Sequence, residues 1–473
     1  MFLIISEECR KNLASRLYCL YSKNVEKSRK EVLKMINKIK RSLSLIDYKL
    51  IISLILIQLV PTLYTTLRVF FLGQLPGEYS FSIAGQLTWV NLLYEIINES
   101  IILPLYYFIG KASNNTKELN NCFKSGLLVT FFIYALLALL IMAFIKPILI
   151  IMSVNKNILA ESATYIRLES IALIFSVLSN FVLVVLVTLN KVRYMYILTG
   201  IRLILNTSID TLLVSSLPCS LKLGVNGIAI TNIIVNGVVL VISLALFHRE
   251  DVFLFTKQKL SFSWMKELLK VGAISGVESL VRNFAYMIMI SRMVNVVNEQ
   301  GTYWVANNFI WGWLLLPVTQ LGEYIKKDVA TDSNAIKNKT FGYFMLTAVI
   351  CLLWFVSIPL WKPFMAKILL FKDVDKLYNL VMILVGFYVL YAFQNIFDAT
   401  FYGLGKTNYM LFESVVTNTL YYGTAFVLYI TKIWVPTLTG IALMFGIGMA
   451  FDSLVSLVAY RYLLKKKFVF YLT

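Results

Sequence analysis

Acidic residues are scarce: 25 Asp and Glu stand in 473 residues against 44 Lys and Arg, and charged residues of both signs make up only 15%. Ordinary soluble domains are about a quarter charged, so this shortage excludes a soluble enzyme. The one histidine, His248, has no second histidine or Cys-x-x-Cys nearby. That excludes the usual zinc patterns and any Ser/His/Asp or Cys/His triad, and leaves His248 as a helix-end residue. Cys9, Cys19, Cys122, Cys219 and Cys351 share no repeated spacing, so no disulfide framework follows. A phosphate-binding glycine loop is also missing. Its nearest approach, Gly403-Leu404-Gly405-Lys406-Thr407, has Thr400 where the first glycine belongs. Chemistry or motion powered by a bound nucleotide is therefore not expected.

What is present is apolar: 59% of the chain is hydrophobic and the formal charge is +19. Such a chain buries too much surface to be disordered, and its basic excess reports cytoplasmic loops rather than nucleic acid. About twelve stretches reach the ~20 apolar residues that cross a bilayer. They run over 46–73, 82–109, 122–145, 160–189, 194–216 and 225–247, then 264–294, 303–325, 341–360, 377–403, 409–430 and 436–463. The fold class expected is an all-α polytopic membrane protein, with two pseudo-symmetric six-helix bundles in a V around a central cavity. The expected organisation is a basic amphipathic arm (1–45), an N-lobe (46–250), a linker (251–263), a C-lobe (264–465) and a tail (466–473).

The arm carries 11 Lys and Arg, and the alternate loops on its side carry most of the rest, against 8 on the opposite side. The positive-inside rule then places both termini in the cytoplasm of a multi-pass cell-membrane protein, although Lys362, Lys367, Lys372 and Lys376 crowd one external loop. No short apolar core with a small-residue cleavage site precedes the first span, so no cleaved signal is expected. Residues 23–41 read as a basic helix on the anionic inner leaflet, or as a solvated arm.

Shifting the chain by about 215 residues aligns its halves. LNKVRYM (189–195) matches LGKTNYM (404–410), and Gly227-Ile228-Ala229 matches Gly440-Ile441-Ala442. Leu67-Arg68 falls on Val281-Arg282, and AGQLTW from Ala84 falls on ANNFIW from Ala306 after a gap. Six spans per half relate the two by an axis along the membrane normal. Two such bundles can rock about a central cavity, which is the architecture of a transporter.

The segment 200–232, GIRLILNTSIDTLLVSSLPCSLKLGVNGIAITN, resembles the fifth and sixth helices of the MATE family of multidrug and toxic compound extrusion transporters. Asn206 and Asp210 fill that family's Asn-x-x-x-Asp pair; Leu223, Gly224, Val225, Gly227 and Ala229 fill its Leu-Gly-Val-x-Gly-x-Ala connection. LKVGAISGVESLVRNF (269–284) and YGLGKTNYM (402–410) look like it as well. The resemblance implies a monomeric exporter of organic small molecules, working by rocker-switch alternating access and coupled to Na+ or H+ antiport. It implies no cofactor beyond the coupling ion, and no partner beyond the bilayer and a small-molecule substrate. Flippases for lipid-linked saccharides share the architecture, so fold alone does not select the cargo.

Intramembrane charges are expensive and mark candidate sites. Asn206 and Asp210 share a helix face and are the candidate sodium or proton site that the family places in this lobe, with Asn180 as a possible neighbour. Where the family commonly has an acid five positions before Gly73, this chain has Arg68. A permanently charged arginine cannot bind a cation there, so Arg68 is expected as a fixed counter-ion to Asp210 or as part of an anionic-substrate site. An arginine snorkelling at the interface is the plainer alternative. Glu278 and Arg282 stand four apart and can bridge each other, and Asp398 is a further candidate in the second half. Glu95 and Glu99, one turn apart, suit proton binding or pairing with Arg202 or Arg167. If Arg68, Arg167, Arg202, Arg282 and Arg292 line the cavity, an anion exporter or flippase is the second reading. A third is a transport-inactive scaffold that recruits a partner through its arm; an enzyme is not expected.

Overall fold

The computed structural model describes residues 37–75, 79–112, 115–189, 191, 193–249, 260–332 and 334–469. The arm up to residue 36, the linker up to residue 259 and the tail beyond Val469 lie outside them. Among the described residues the chain forms helices and no strand, arranged as twelve spans. The first half holds α1 (Tyr48–Gln74), α2, α3 (Thr116–Ile151), α4 (Lys156–Thr188), α5 (Arg193–Leu213) and α6 (Gly224–Arg249). In α2, Ser80–Gly85 and Leu87–Ile97 lead through a π-helical turn, Asn98–Ile102, into Leu103–Ala112.

The second half repeats this order. Its α7 joins Ser263–Tyr286 to Arg292–Val296 through the π turn Met287–Ser291, and α8 joins Gln300–Phe309 to Leu316–Thr331 through Ile310–Leu314. Then come α9 (Ala335–Lys367), α10 (Val374–Gly403), α11 and α12 (Leu438–Val469), with α11 running Thr407–Val416, π turn Thr417–Tyr422, Gly423–Ile430. Corresponding pairs pack against each other in both halves: α4 with α6 and α10 with α12, α3 with α4 and α9 with α10. That is the geometric counterpart of the sequence repeat.

Seven of these helices are long and apolar enough to cross a membrane unbroken. Of the other five, α2, α7, α8 and α11 are each interrupted by a π turn, and α5 carries Arg193, Arg202 and Asp210 within its 21 residues. Most spans run past the apolar stretches read from the sequence, α3 and α9 by six or seven residues at each end, because a helix continues through the polar interface to its cap. Side-chain caps end several: Asp47 accepts from Leu50 N, Asn115 from Lys117 N and Glu118 N, and Asp373 from Lys376 N. The 403–407 glycine segment is a helix stop. Gly405 takes φ +65°, its N–H donates to Tyr402 O, and Lys406 N donates to Phe401 O, closing a Schellman cap on α10.

Large apolar side chains cover the outer faces, among them Phe132 and Leu136 on α3, Leu352 and Val356 on α9, and Leu454 and Val458 on α12, all exposed. Patches of this size on a helical bundle are satisfied by lipid, so the chain is a multi-pass membrane protein. Inside, each half has its own apolar cluster. The described end of the arm does not lie free. Residues 37–44 are helical and dock on α9, where Gly342 N donates to Ser42 Oγ at 2.7 Å and Lys38 Nζ lies 4.3 Å from the Phe341 ring centroid.

Polar contacts join the halves at the end away from the N-terminus. Gln300 Nε2 donates to Gly85 O (2.8 Å), Gln86 and Asn295 exchange amide hydrogen bonds, and Arg292 Nε donates to Ile151 O (2.9 Å). Further along, α7 crosses α2 at the π turn. A Cβ on Gly272 would stand 1.9 Å from Ser100 O, and one on Gly276 would stand 2.0 Å from Ser100 Oγ. Only glycine permits that approach.

Candidate functional site

Between the halves lies a cavity of about 970 Å³, bounded by α1, α2, α7, α8, α10, α11 and α12. Trp304, Trp311, Trp313, Tyr286, Tyr391 and Tyr422 supply aromatic walls, while Gln58, Lys326, Tyr402 and Met410 line it toward the end that carries the N-terminus. Its charges are unequal: Glu95, Glu99, Glu278, Asp398, Glu413 and Asp452 face it against Arg282 and Lys326. A cavity lined predominantly by acids attracts cations.

The arginines supply little of this lining, which is not the one the second reading requires. Of the five intramembrane arginines only Arg282 reaches the cavity. Arg167 is exposed and donates to Met142 O, Arg202 donates to Ser179 Oγ at 3.3 Å, and Arg292 bonds Ile151 O and Tyr429 Oη. Neither Arg167 nor Arg202 meets Glu95 or Glu99. Those two pair with Arg282 instead, Glu99 at 3.0 Å and Glu95 at 3.7 Å, while Arg282 Nε also donates to Glu278 Oε1 at 3.1 Å. The guanidinium therefore joins α7 of the second half to α2 of the first. The missed carboxylates, Glu413 and Asp452, are lone acids inside apolar runs, a signal the sequence does offer.

The first half holds a separate network. α1 turns Thr62, Thr65, Thr66 and Val69 to the cavity; Tyr64 and Arg68, one turn apart, face α5 and α6. Arg68 Nε donates to Asp210 Oδ2 at 2.7 Å, Tyr64 Oη donates to the same oxygen at 2.9 Å, and Arg68 Nη2 donates to Asn232 Oδ1 at 2.7 Å. Asn232 in turn donates through Nδ2 to Glu169 Oε1 at 2.8 Å. The Arg68 guanidinium also lies 4.4 Å from the Tyr64 ring centroid. Asp210 is 1% exposed and Arg68 14%, so this pair is screened little by water.

Asn206, one turn before Asp210, is buried, and its Oδ1 has no hydrogen-bond partner. Asn180 is exposed and takes no part. Sequence reasoning passed over Tyr64, Glu169 and Asn232 because their partners lie on other helices. Among the described residues no group of three His, Cys, Asp or Glu is arranged to hold a metal ion.

The family model MatE matches residues 53–212, which run from α1 to the end of α5 and include Arg68, Glu169, Asn206 and Asp210. The chain carries a MatE domain. Beyond that segment, the chain is similar in fold to a multidrug resistance MATE family transporter of the MOP superfamily in its inward-facing conformation, at TM-score 0.68 and 15% identity over 85% of this chain and 93% of that one. An outward-facing conformation of a MATE transporter of that superfamily matches at TM-score 0.66 and 16% identity, over 91% and 96%. A Vibrio cholerae MATE transporter matches at TM-score 0.60 and 14% identity, over 91% and 98%. No curated protein shows significant sequence similarity to the chain. At these identities the structures establish the MATE fold for both halves and not the cargo.

Proposed function

We propose that the protein is a MATE-type secondary transporter of the cell membrane that exports organic small molecules, preferentially cations, by alternating access in exchange for H+ or Na+. The observation that carries this reading is the interlobe cavity, walled by aromatic rings and lined by six carboxylates against two basic groups. Organic cations pair with the first by cation–π attraction and with the second by charge. With the termini in the cytoplasm, the tight contacts between α2 and α8 close the outer end, which corresponds to an inward-facing state. An anion-carrying flippase is disfavoured by the same lining.

The test is reconstitution of the full chain into vesicles with an imposed pH or sodium gradient, comparing ethidium with carboxyfluorescein as cargo. Gradient-driven movement of ethidium alone is expected. Movement of carboxyfluorescein alone would transfer the chain to the anion class, and movement of neither would favour a scaffold.

A further inference from the structure

Three carboxylates in the second half have no cation of their own. Asp398 of α10, Glu413 of α11 and Asp452 of α12 line the cavity together, whereas its two basic groups are engaged elsewhere: Arg282 with Glu278, Glu99 and Glu95, and Lys326 Nζ with Glu323 at 2.7 Å. Gln394 ties the cluster. Its Nε2 donates to Glu413 Oε1 and to Asp452 Oδ2, each at 2.7 Å, and its Oε1 accepts from Ser453 Oγ at 2.8 Å. Asp452 has its other oxygen served by Thr417 Oγ1 at 2.7 Å, and Asp398 accepts from Ser456 Oγ at 3.0 Å. Glu413 is different. It is 5% exposed, and its Oε2 is buried with no hydrogen-bond partner.

A carboxylate oxygen without a donor, beside two more carboxylates in a low-dielectric wall, belongs to a charge that no cation balances. The groups around it come from every helix packed on this part of α11: Glu278 and Arg282 from α7, Tyr391, Asp398 and Tyr402 from α10, Asp452 from α12, and Tyr422 from α11 itself. Of these only Arg282 is cationic. The bridging Gln394 amide directs N–H bonds at both carboxylates, so a donor group stands between them.

We propose that Glu413 Oε2 is a proton-binding site, formed with Asp452 and Asp398 and positioned by Gln394. Protonation converts the orphan carboxylate into a neutral acid, and deprotonation returns the charge to the cavity wall when water or a cationic cargo reaches it. Its use as the coupling site rests on the transporter reading; the existence of the site does not.

Infrared spectra of the full chain in lipid bilayers, recorded across a pH series in sodium and in choline buffer, test it. The wild-type minus Glu413→Gln difference should show loss of one carboxylic-acid carbonyl band, equal in both buffers. In Asp452→Asn, which keeps Glu413 but removes a neighbouring negative charge, that band should titrate at lower pH. A difference spectrum without the band, a band abolished by sodium, or an unmoved midpoint in Asp452→Asn would each overturn the proposal. Vesicles that fail to move ethidium would leave a positive infrared result standing and remove only the transporter reading.

Discussion

Arg68 and Arg282 hold matching positions in the two halves and gather carboxylates in opposite ways. Arg68 closes on Asp210 at 2.7 Å inside one half, with the acid 1% exposed. Arg282, 42% exposed, reaches across the cavity edge to Glu99 of the other half at 3.0 Å. The repeat thus supplies one arginine as a fixed internal charge and the other as a link between the lobes.

The buried pair should be costly to break and cheap to replace. Removing one partner strands a charge, so Arg68→Gln is expected to lower stability by about 3–5 kcal/mol, while exchanging both partners for apolar residues recovers most of that. Denaturant unfolding of Arg68→Gln, Asp210→Leu and Arg68→Met with Asp210→Leu measures the cycle. A double variant no more stable than the singles would show that the two side chains are not coupled.

Because the Arg68 guanidinium already occupies Asp210, the first half has no free carboxylate at the place where the resemblance puts a cation. Sodium should therefore raise the melting temperature of wild type and of Asp210→Asn by the same increment, measured against choline at equal ionic strength. A sodium-specific stabilisation present in wild type and lost in Asp210→Asn would restore Asp210 as a sodium ligand.

The apolar runs made the twelve spans legible, and the Leu67-Arg68 to Val281-Arg282 match put both arginines at corresponding places before any coordinates. The contact of Arg68 with Asp210 is one of the arrangements the sequence leaves open, beside an anionic-substrate site and an arginine at the interface, and the packing of α1 on α5 selects it. The π turns left no trace in the sequence; the one at Asn98–Ile102 presents Ser100 to Gly272 and Gly276 of α7, a contact between segments distant in the chain. The partners of Glu99 were misread for the same reason: both Arg202 and Arg282 are available in the chain, and only the crossing of α2 with α7 decides between them.

That crossing is itself testable. Gly272 and Gly276 sit one turn apart against Ser100, the first facing its backbone carbonyl and the second its hydroxyl. Gly272→Val should force α7 from α2 and cost at least about 1–3 kcal/mol, the range for overfilling a packed contact. Gly237, whose Cβ would meet nothing within 4 Å, is the matched control, and Gly237→Val should cost nothing or gain a few tenths of a kcal/mol, because valine is the better helix former of the two. Equal losses at both positions, read from unfolding in detergent, would mean that the crossing is not close-packed.

The clasp made by Arg282 should be weaker than the pair made by Arg68, although it holds three carboxylates. Its side chain is 42% exposed and Glu95 is 41% exposed, so water and salt screen those charges; Glu278, at 6%, is the sheltered partner. Partly exposed pairs are worth about 0.2–1 kcal/mol, against several for a buried one. Arg282→Gln should therefore cost less than Arg68→Gln, and high salt should narrow its cost while leaving that of Arg68→Gln nearly unchanged. Adding Glu278→Gln to Arg282→Gln should recover more stability than adding Glu95→Gln, because the sheltered carboxylate is the one left without its cation. Unfolding midpoints at low and high salt decide the matter. A salt-insensitive loss at Arg282 larger than that at Arg68 would show that the interlobe clasp, and not the internal pair, carries the principal ion-pair stabilisation of the fold.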